Sequence, residues 1–418
     1  MRTLAEWLEL HDAVHPKSID LDLARVGKVA DALALRPVPY PVITVGGTNG
    51  KGSTVAHLVA LFDALGVRTG AFTSPHLVRY NERIRIGGEE AGDAELIAAF
   101  ERIEAARGAT TLTFFEFNTL AALLIFAARD VQAAVLEVGL GGRLDATNLI
   151  DADVAVLASV GMDHREYLGD DLESIGREKA GIFRAGRPAV LGTSEMPGSV
   201  FTAIGASGAR AIIAGRDFNW DVDRDFWSYH GLGQYARLPP SALPGAIQYR
   251  NAATAIAALE ALALPRRLNR KLIADALARV RLTGRFQILP GPVEWILDVA
   301  HNEPAARVLA RHLAARPIPG RTFAVGSILR DKDVAGIGRA VAAQIDCWIL
   351  CSLGGPRGST AAELAERLAP LIPARAQLAM SVQEGCMLAR AQARPGDRVL
   401  VFGSFPAVGS ALEWLGLY

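Results

Sequence analysis

From Val42 onward, short apolar runs alternate with segments whose apolar residues recur at helical spacing. The runs are Val42–Val45, Ala133–Val138, Val154–Val160, Ala189–Leu191 and Ala211–Ala214, and the rhythm predicts a mostly parallel sheet with crossover helices. Between Asp217 and Leu238 the rhythm breaks. Trp220, Phe226, Trp227 and Tyr229 stand among polar residues and glycines there, which predicts a short antiparallel hairpin. Helices are expected over roughly Ala246–Leu264 and Asn269–Val280. After Arg285 the strand–helix rhythm restarts. Trp295–Val299 leads to a helix over Ala305–Ala315, and Phe323–Val325 to another over Val334–Gln344. Trp348–Cys351 and Val399–Phe402 bring this part to at least four strands. Pro290, Gly291 and Pro292 mark the expected linker.

A chain of 418 residues is too long for one core, since single cores rarely grow beyond about 250–300 residues. Two domains are expected, 1–286 and 287–418. Half the residues are apolar, ample for folding without disorder. Lys plus Arg equals Asp plus Glu at 44 each, so no global field favours nucleic acid or an anionic membrane. Cys347, Cys351 and Cys386 are few and have no metal-ligand company, which reads as buried thiols in a reducing compartment. The first ten residues lack a leader-like apolar core. The longest helix-like apolar stretch, Leu120 to Ala128, falls short of the roughly 20 residues of a membrane span. A cytoplasmic protein is the expectation.

The chemistry starts at Val45-Gly46-Gly47-Thr48-Asn49-Gly50-Lys51-Gly52-Ser53-Thr54. An apolar strand breaks into glycines, and Val55, Leu58, Val59, Phe62 and Leu65 then follow at helical spacing with Gly66 as the stop. Glycines let backbone amides turn toward a phosphate, which the positive end of the helix also favours. Lys51 would reach the β/γ-phosphates, and the hydroxyl of Ser53 or Thr54 would face a magnesium ion. The usual phosphate-loop pattern is not met in full: Val45 stands where its first glycine belongs, and Gly52 separates Lys51 from Ser53. The plainer reading is a tight glycine turn.

Glu137 ends an apolar run and is followed by a glycine-rich loop through Asn148. Strand ends of parallel sheets are where ligands bind, and a carboxylate suits a hard magnesium ion; a surface salt bridge is the alternative. Asp163-His164 repeats the arrangement past the next run, so His164 is either a metal or catalytic group or a structural histidine. Thr73-Ser74-Pro75-His76 adds a hydroxyl for the metal and a histidine that could only pack. Spacing alone leaves Lys179, flanked by Arg177 and Glu178, on a solvated helix face. In the later part Asp298, His301 and Asn302 end a strand and suggest a second ligand region. Arg285 either clamps a phosphate or makes an ordinary ion pair.

Taken in order, these segments resemble the folylpolyglutamate synthase/dihydrofolate synthase family of the Mur-ligase superfamily. The resemblance is carried by His15-Pro16-Lys17-Ser18-Ile19-Asp20-Leu21, Gly47–Ser53, Thr73–Leu77, Asn81–Ile84, Phe114–Glu116, Glu137–Asn148 and Asp163-His164 with Leu168-Gly169. It continues through Glu178–Ile182, Asn251–Ala255, Gly284-Arg285, Asp298–Asn302, Asp331–Asp333 and Gly403–Phe405, and so covers nearly the whole chain. It implies an α/β protein: a mostly parallel P-loop ATPase domain that binds ATP and folate, followed by a smaller Rossmann-like α/β domain that binds glutamate.

The implied reaction is ATP-dependent amide ligation. A pterin-bearing carboxylate attacks the γ-phosphate to give an acyl phosphate, and the amine of L-glutamate displaces phosphate. By resemblance Ser74, Glu137 and His164 bind magnesium, two ions in all. Lys179 matches a lysine commonly carbamylated into a carboxylate-like ligand, and Lys51, Lys179 and His164 are the catalytic set. Thr48, Asn49, Gly50, Lys51, Gly52 and Ser53 hold the ATP phosphates. Asn251 meets adenine and Arg285 the phosphates, while Asp298 and His301 meet the ribose, the hinge or the incoming glutamate. Phe115, Arg143 and Ala146 form the pterin side. The substrates are dihydropteroate, reduced folates and L-glutamate, and the enzyme is expected to be a monomer. Pro16–Leu21 and Phe114–Glu116 favour both first-glutamate addition and chain extension; chain extension alone is the alternative. Two departures stand out: Asn302-Glu303-Pro304 replaces a more usual Asn-Pro order, which predicts a helix entry shifted by one residue, and Arg165-Glu166 follows His164 where a small hydroxyl is usual.

Overall fold

The computed structural model describes residues 2–372 and 375–418. It divides into two compact units. The first holds the chain through His76, Tyr80–Ala242 and Gln248–Val280; the second holds Leu77–Arg79, Leu243–Ile247 and Arg281–Tyr418.

The first unit is built on eight strands: β1 (Val42–Gly46), β2 (Thr69–Phe72), β3 (Ile84–Ile86), β4 (Glu89–Glu90), β5 (Ala133–Glu137), β6 (Val154–Leu157), β7 (Pro188–Leu191) and β8 (Arg210–Ile213). Their order is β4-β3-β2-β5-β1-β6-β7-β8. The span from β2 to β8 is parallel, and β3 and β4 add an antiparallel edge. Alternation along β1 sends Val42 into a core with the helices Leu4–Val14, Ala24–Ala32, Asp93–Arg107 and Phe114–Ala128, and Ile43 and Val45 into a core on the other face. That second core includes the helices Lys51–Ala64, Ile247–Leu262 and Arg270–Arg279.

The predicted hairpin gains a third strand. β9 (Asn219–Asp223), β10 (Phe226–His230) and β11 (Gln234–Leu238) form a separate antiparallel sheet that buries Trp227 and Tyr229. The apolar run to Val160 predicts a longer β6 than exists: the strand stops at Leu157 because Ser159 and Gly161 turn to brace the phosphate loop.

In the second unit, β12 (Gln287–Leu289), β13 (Glu294–Asp298), β14 (Thr322–Gly326), β15 (Cys347–Cys351), β16 (Gln377–Ala379) and β17 (Arg398–Phe402) are ordered β12-β13-β17-β14-β15-β16. All but β12 run parallel. Pro290-Gly291-Pro292 is therefore not a linker. It lies in the turn that sends β12 back along β13, where Leu289 pairs with Trp295. Cys351 and Cys386 are buried, and burial pushes both thiols up to about 12; Cys347 is only half-buried. Among the described residues no helix is long and apolar enough to cross a membrane.

Candidate active site

Adjacent parallel strands β2, β5, β1 and β6 end on the same edge, and their following loops carry most of the chemistry. After β1, Gly50 adopts φ +86° and caps the helix Lys51–Ala64, a backbone state that glycine reaches without steric cost. Two of the expected cradle amides are committed elsewhere. The Thr48 N–H donates to the Ser159 carbonyl at 2.8 Å and the Asn49 N–H to Ser159 Oγ at 3.1 Å, while Thr48 Oγ1 donates to the Gly161 carbonyl at 3.0 Å. Thr48 and Asn49 thus shape the loop, and the first-turn amides from Lys51 to Ser53 are the ones aimed along the helix axis toward an anion. The Thr54 hydroxyl donates to the Gly50 carbonyl at 2.9 Å, which leaves Ser53 as the hydroxyl for the phosphate side.

Lys51 Nζ donates to the Gly47 carbonyl at 3.0 Å and Lys179 Nζ to the same oxygen at 3.2 Å. Lys179 is buried rather than on a solvated helix face. Burial, then the charge of Lys51, brings its amine down to about 7 against the opposing pull of Asp163 and Asp145.

Glu137 is the last residue of β5, paired in register with Val45 and buried. The Ser74 N–H donates to Glu137 Oε2 at 3.4 Å, so the β2 and β5 ends meet. His164 has φ +51° at the entry of the short helix Arg165–Leu168, and its Nε2 lies 3.9 Å from Asp163 Oδ2. Arg165 turns away to Asp170 at 2.9 Å. Among the described residues no three His, Cys, Asp or Glu side chains are grouped to hold a metal. The Glu137 carboxylate and the Ser74 hydroxyl are hard oxygen donors of the kind magnesium takes in small number, filling the rest of its shell with water and phosphate.

Asp145, absent from the sequence expectations, organises the glycine loop. Its carboxylate accepts from the N–H groups of Gly139, Leu140 and Thr147 and from Thr147 Oγ1, at 3.0, 2.8, 3.0 and 2.6 Å. Burial still holds it above the usual range. A Cβ at Gly142 would lie 2.7 Å from the Lys179 carbonyl, so loop and helix touch backbone to backbone. Arg143 pairs with Glu178 at 2.9 Å, and Ala146 is buried. The Phe115 ring covers Gly139 and lies 5.5 Å from the Phe72 ring.

The N-terminal segment is tied to the same helix as Phe115. His15 Nε2 meets Asp20 Oδ2 at 3.1 Å, Arg25 donates to Asp20 Oδ2 at 3.0 Å and to Glu116 Oε1 at 3.1 Å. Buried Glu116 also closes a capping box with Thr113. Asn251 stands at the phosphate loop, its Oδ1 3.1 Å from where a Gly50 Cβ would be. His76 packs beside Tyr80 and accepts from Arg83 Nε at 2.8 Å, and burial lowers it to about 4.

In the second unit Arg285 lies 5.0 Å from the Phe405 ring centre and His301 faces the same ring at 5.8 Å. The Asp298 carboxylate accepts from the N–H groups of Phe286 and Ala300, both at 2.8 Å, so it holds the strand end. Helix Glu303–Ala314 begins with Asn302 Oδ1 accepting from the Ala305 N–H at 3.0 Å and Pro304 in the first turn, two residues ahead of the predicted start. Lys332, also not predicted, is buried 3.7 Å from Asp331.

Residues 45–259 match the Mur ligase middle domain, and residues 284–405 the Mur ligase glutamate ligase domain. Fold and site therefore define a Mur-type ATP-dependent ligase. The dihydrofolate synthase/folylpolyglutamate synthase of Escherichia coli strain K12 is 44% identical over 414 residues, covering 98% of this chain and 95% of that one. The structure of E. coli FolC in complex with DHPP and ADP is similar with a TM-score of 0.94 at 42% identity, covering 100% of this chain and 98% of the other. A bifunctional folylpolyglutamate synthase/dihydrofolate synthase with Mn, AMPPNP and L-glutamate bound gives 0.92 at 42% identity, with the same coverage. The chain belongs to the dihydrofolate synthase/folylpolyglutamate synthase family.

Proposed function

We propose that the protein uses ATP to join L-glutamate to dihydropteroate and to extend reduced folates with further glutamates, through an acyl phosphate. The observation that carries this reading is the convergence of Lys51 and Lys179 on the Gly47 carbonyl beside the Ser74–Glu137 pair. Phosphoryl transfer requires positioning and charge neutralisation. The first-turn amides, Ser53 and Lys51 would hold the triphosphate so that the acceptor carboxylate attacks its terminal phosphorus in line, with ADP leaving. The amine of glutamate then attacks the acyl carbon, and inorganic phosphate departs with loss of a proton from nitrogen. Ser74, Glu137 and His164 would hold magnesium, which supplies charge neutralisation at the transferring phosphoryl group. A neutral Lys179 amine can add carbon dioxide, forming an N–C bond and releasing a proton, to become an anionic carbamate that completes this set.

We assign nucleotide and pterin to the first unit and L-glutamate to the second, with Phe115, Ala146 and Arg143 on the pterin side and Asn251 toward adenine. His301, beside Phe405 in the second unit, would serve the incoming glutamate. The balanced charge and the free cysteines support a cytoplasmic enzyme acting on small molecules, read as a monomer.

The test supplies ATP, magnesium and L-glutamate with either dihydropteroate or tetrahydrofolate and identifies products by mass spectrometry. Glutamate on both acceptors, with ADP formed in step, is the expected result. Product from tetrahydrofolate alone would reduce the function to chain extension, and product from neither would overturn it.

A further inference from the structure

The first turn of helix Ile247–Leu262 brings two consecutive polar side chains to the phosphate loop. The sequence points to Asn251 there and not to its neighbour. A Cβ placed on Gly50 would stand 3.1 Å from Asn251 Oδ1 and 3.8 Å from the Arg250 guanidinium nitrogen Nη2. Gly50 caps the helix Lys51–Ala64, so this guanidinium lies close to the helix end that favours an anion. The turn is held from two sides. Asn251 Nδ2 donates to Gln248 Oε1 at 3.0 Å, and Thr254 Oγ1 donates to the Arg250 carbonyl at 2.8 Å. Arg250 itself is half-buried.

We propose that Arg250 is a nucleotide-binding residue whose guanidinium contacts the phosphate chain of the nucleotide held by the Gly47–Ser53 loop. A planar guanidinium can give two parallel N–H bonds to one phosphate, and it remains charged at any working pH. Lys51 and Arg250 would then grip the chain from two elements: Lys51 from the phosphate-loop helix and Arg250 from the helix that also carries Asn251. The division of labour within this turn is charge to phosphate from Arg250 and amide to base from Asn251. The proposal rests on the reading of the loop as an ATP site.

The experiment titrates the full chain, as wild type, Arg250→Gln and Arg250→Lys, with ADP and with adenosine by calorimetry, and measures KM for ATP in the ligation assay. Arg250→Gln should weaken ADP and raise KM for ATP by roughly tenfold or more, the scale of a lost charge-assisted bond. Arg250→Lys should recover part of that loss, with adenosine affinity and the melting temperature unchanged in both variants. Unchanged ADP affinity in Arg250→Gln would overturn the proposal, as would equal losses for adenosine and ADP, which would mark a base contact or a loop brace. Failure of the wild type to bind ADP would overturn the ATP-site reading along with it. If Arg250→Gln does not fold, Arg250→Lys decides: wild-type ADP affinity with a lowered melting temperature would identify a brace and overturn the proposal.

Discussion

Lys51 and Lys179 direct their ammonium groups at one acceptor, the Gly47 carbonyl, at 3.0 and 3.2 Å. Two like charges on one oxygen, one of them buried, favour loss of a proton from Lys179, the more enclosed of the two. An amine that loses its proton in this way is the nucleophile that the proposed addition of carbon dioxide requires.

Lys179→Ala should lower ligation by on the order of 10²-fold or more, as for loss of a preorganised charged group at a phosphoryl-transfer site. A short carboxylic acid added to the assay should restore part of the rate by supplying the missing anion. Full activity in the variant would remove the carbamate from the mechanism.

Stability should also report the state of Lys179 in metal-free, bicarbonate-free buffer. Burial and the charge of Lys51 bring its amine down to about 7 in the folded chain from the ordinary lysine value of 10.5, so between those values the unfolded chain binds more protons. Stability contributed by this group therefore rises with pH from about 7 toward 10.5 and is flat below 7. Denaturant midpoints of wild type and Lys179→Met across that range should converge or cross as pH rises. Parallel curves would show an ordinary, solvated lysine.

Glu137→Gln should raise the magnesium concentration required for half-maximal rate by about 10²-fold, since even an outer-shell partner of a metal commonly counts for about 10–100-fold. The variant keeps the shape of the β5 end, so its melting temperature without metal should change little. An unaltered magnesium dependence would remove Glu137 from the metal site.

Gly142→Ala places a methyl 2.7 Å from the Lys179 carbonyl, a backbone atom that cannot swing aside. The expected cost is about 1–3 kcal/mol in thermal or urea unfolding, with a disproportionate fall in kcat because the added methyl pushes on the helix that carries Lys179. Equal stability and rate would mean that loop and helix part freely.

Arg25→Ala removes the partner of Glu116, which burial already pushes above the usual carboxylate range. Destabilisation by roughly 1–3 kcal/mol is expected from the carboxylate left behind. The N-terminal segment joined by this pair is part of the sequence match on which the reading of two activities, dihydropteroate ligation among them, rests. Dihydropteroate ligation should therefore fall further than tetrahydrofolate ligation when both are followed by ADP release. Equal losses would make the segment a structural strap.

The element pattern and the residue types at strand ends are local properties, which is why Val42–Val45, the Gly47–Ser53 loop, Glu137 and His164 could be singled out without coordinates. Apolar periodicity records which face is buried, and glycines record where backbone must turn. Short or polar strands such as β2, β12 and β16 leave no such trace, and a Pro-Gly-Pro run reads alike as a linker or a hairpin turn.

By itself, then, the sequence determined two α/β units, a phosphate loop and the kind of chemistry offered beside it. Only the tertiary structure decided which loop amides brace Ser159 and which remain aimed at a ligand. It also decided that Lys179 is buried against Gly47 rather than solvated, and that Arg250 stands at Gly50 from a position two hundred residues away in the chain. Burial, charge proximity and hydrogen-bond competition are sums over neighbours that the chain brings together only on folding, and those sums set what each of these side chains can do.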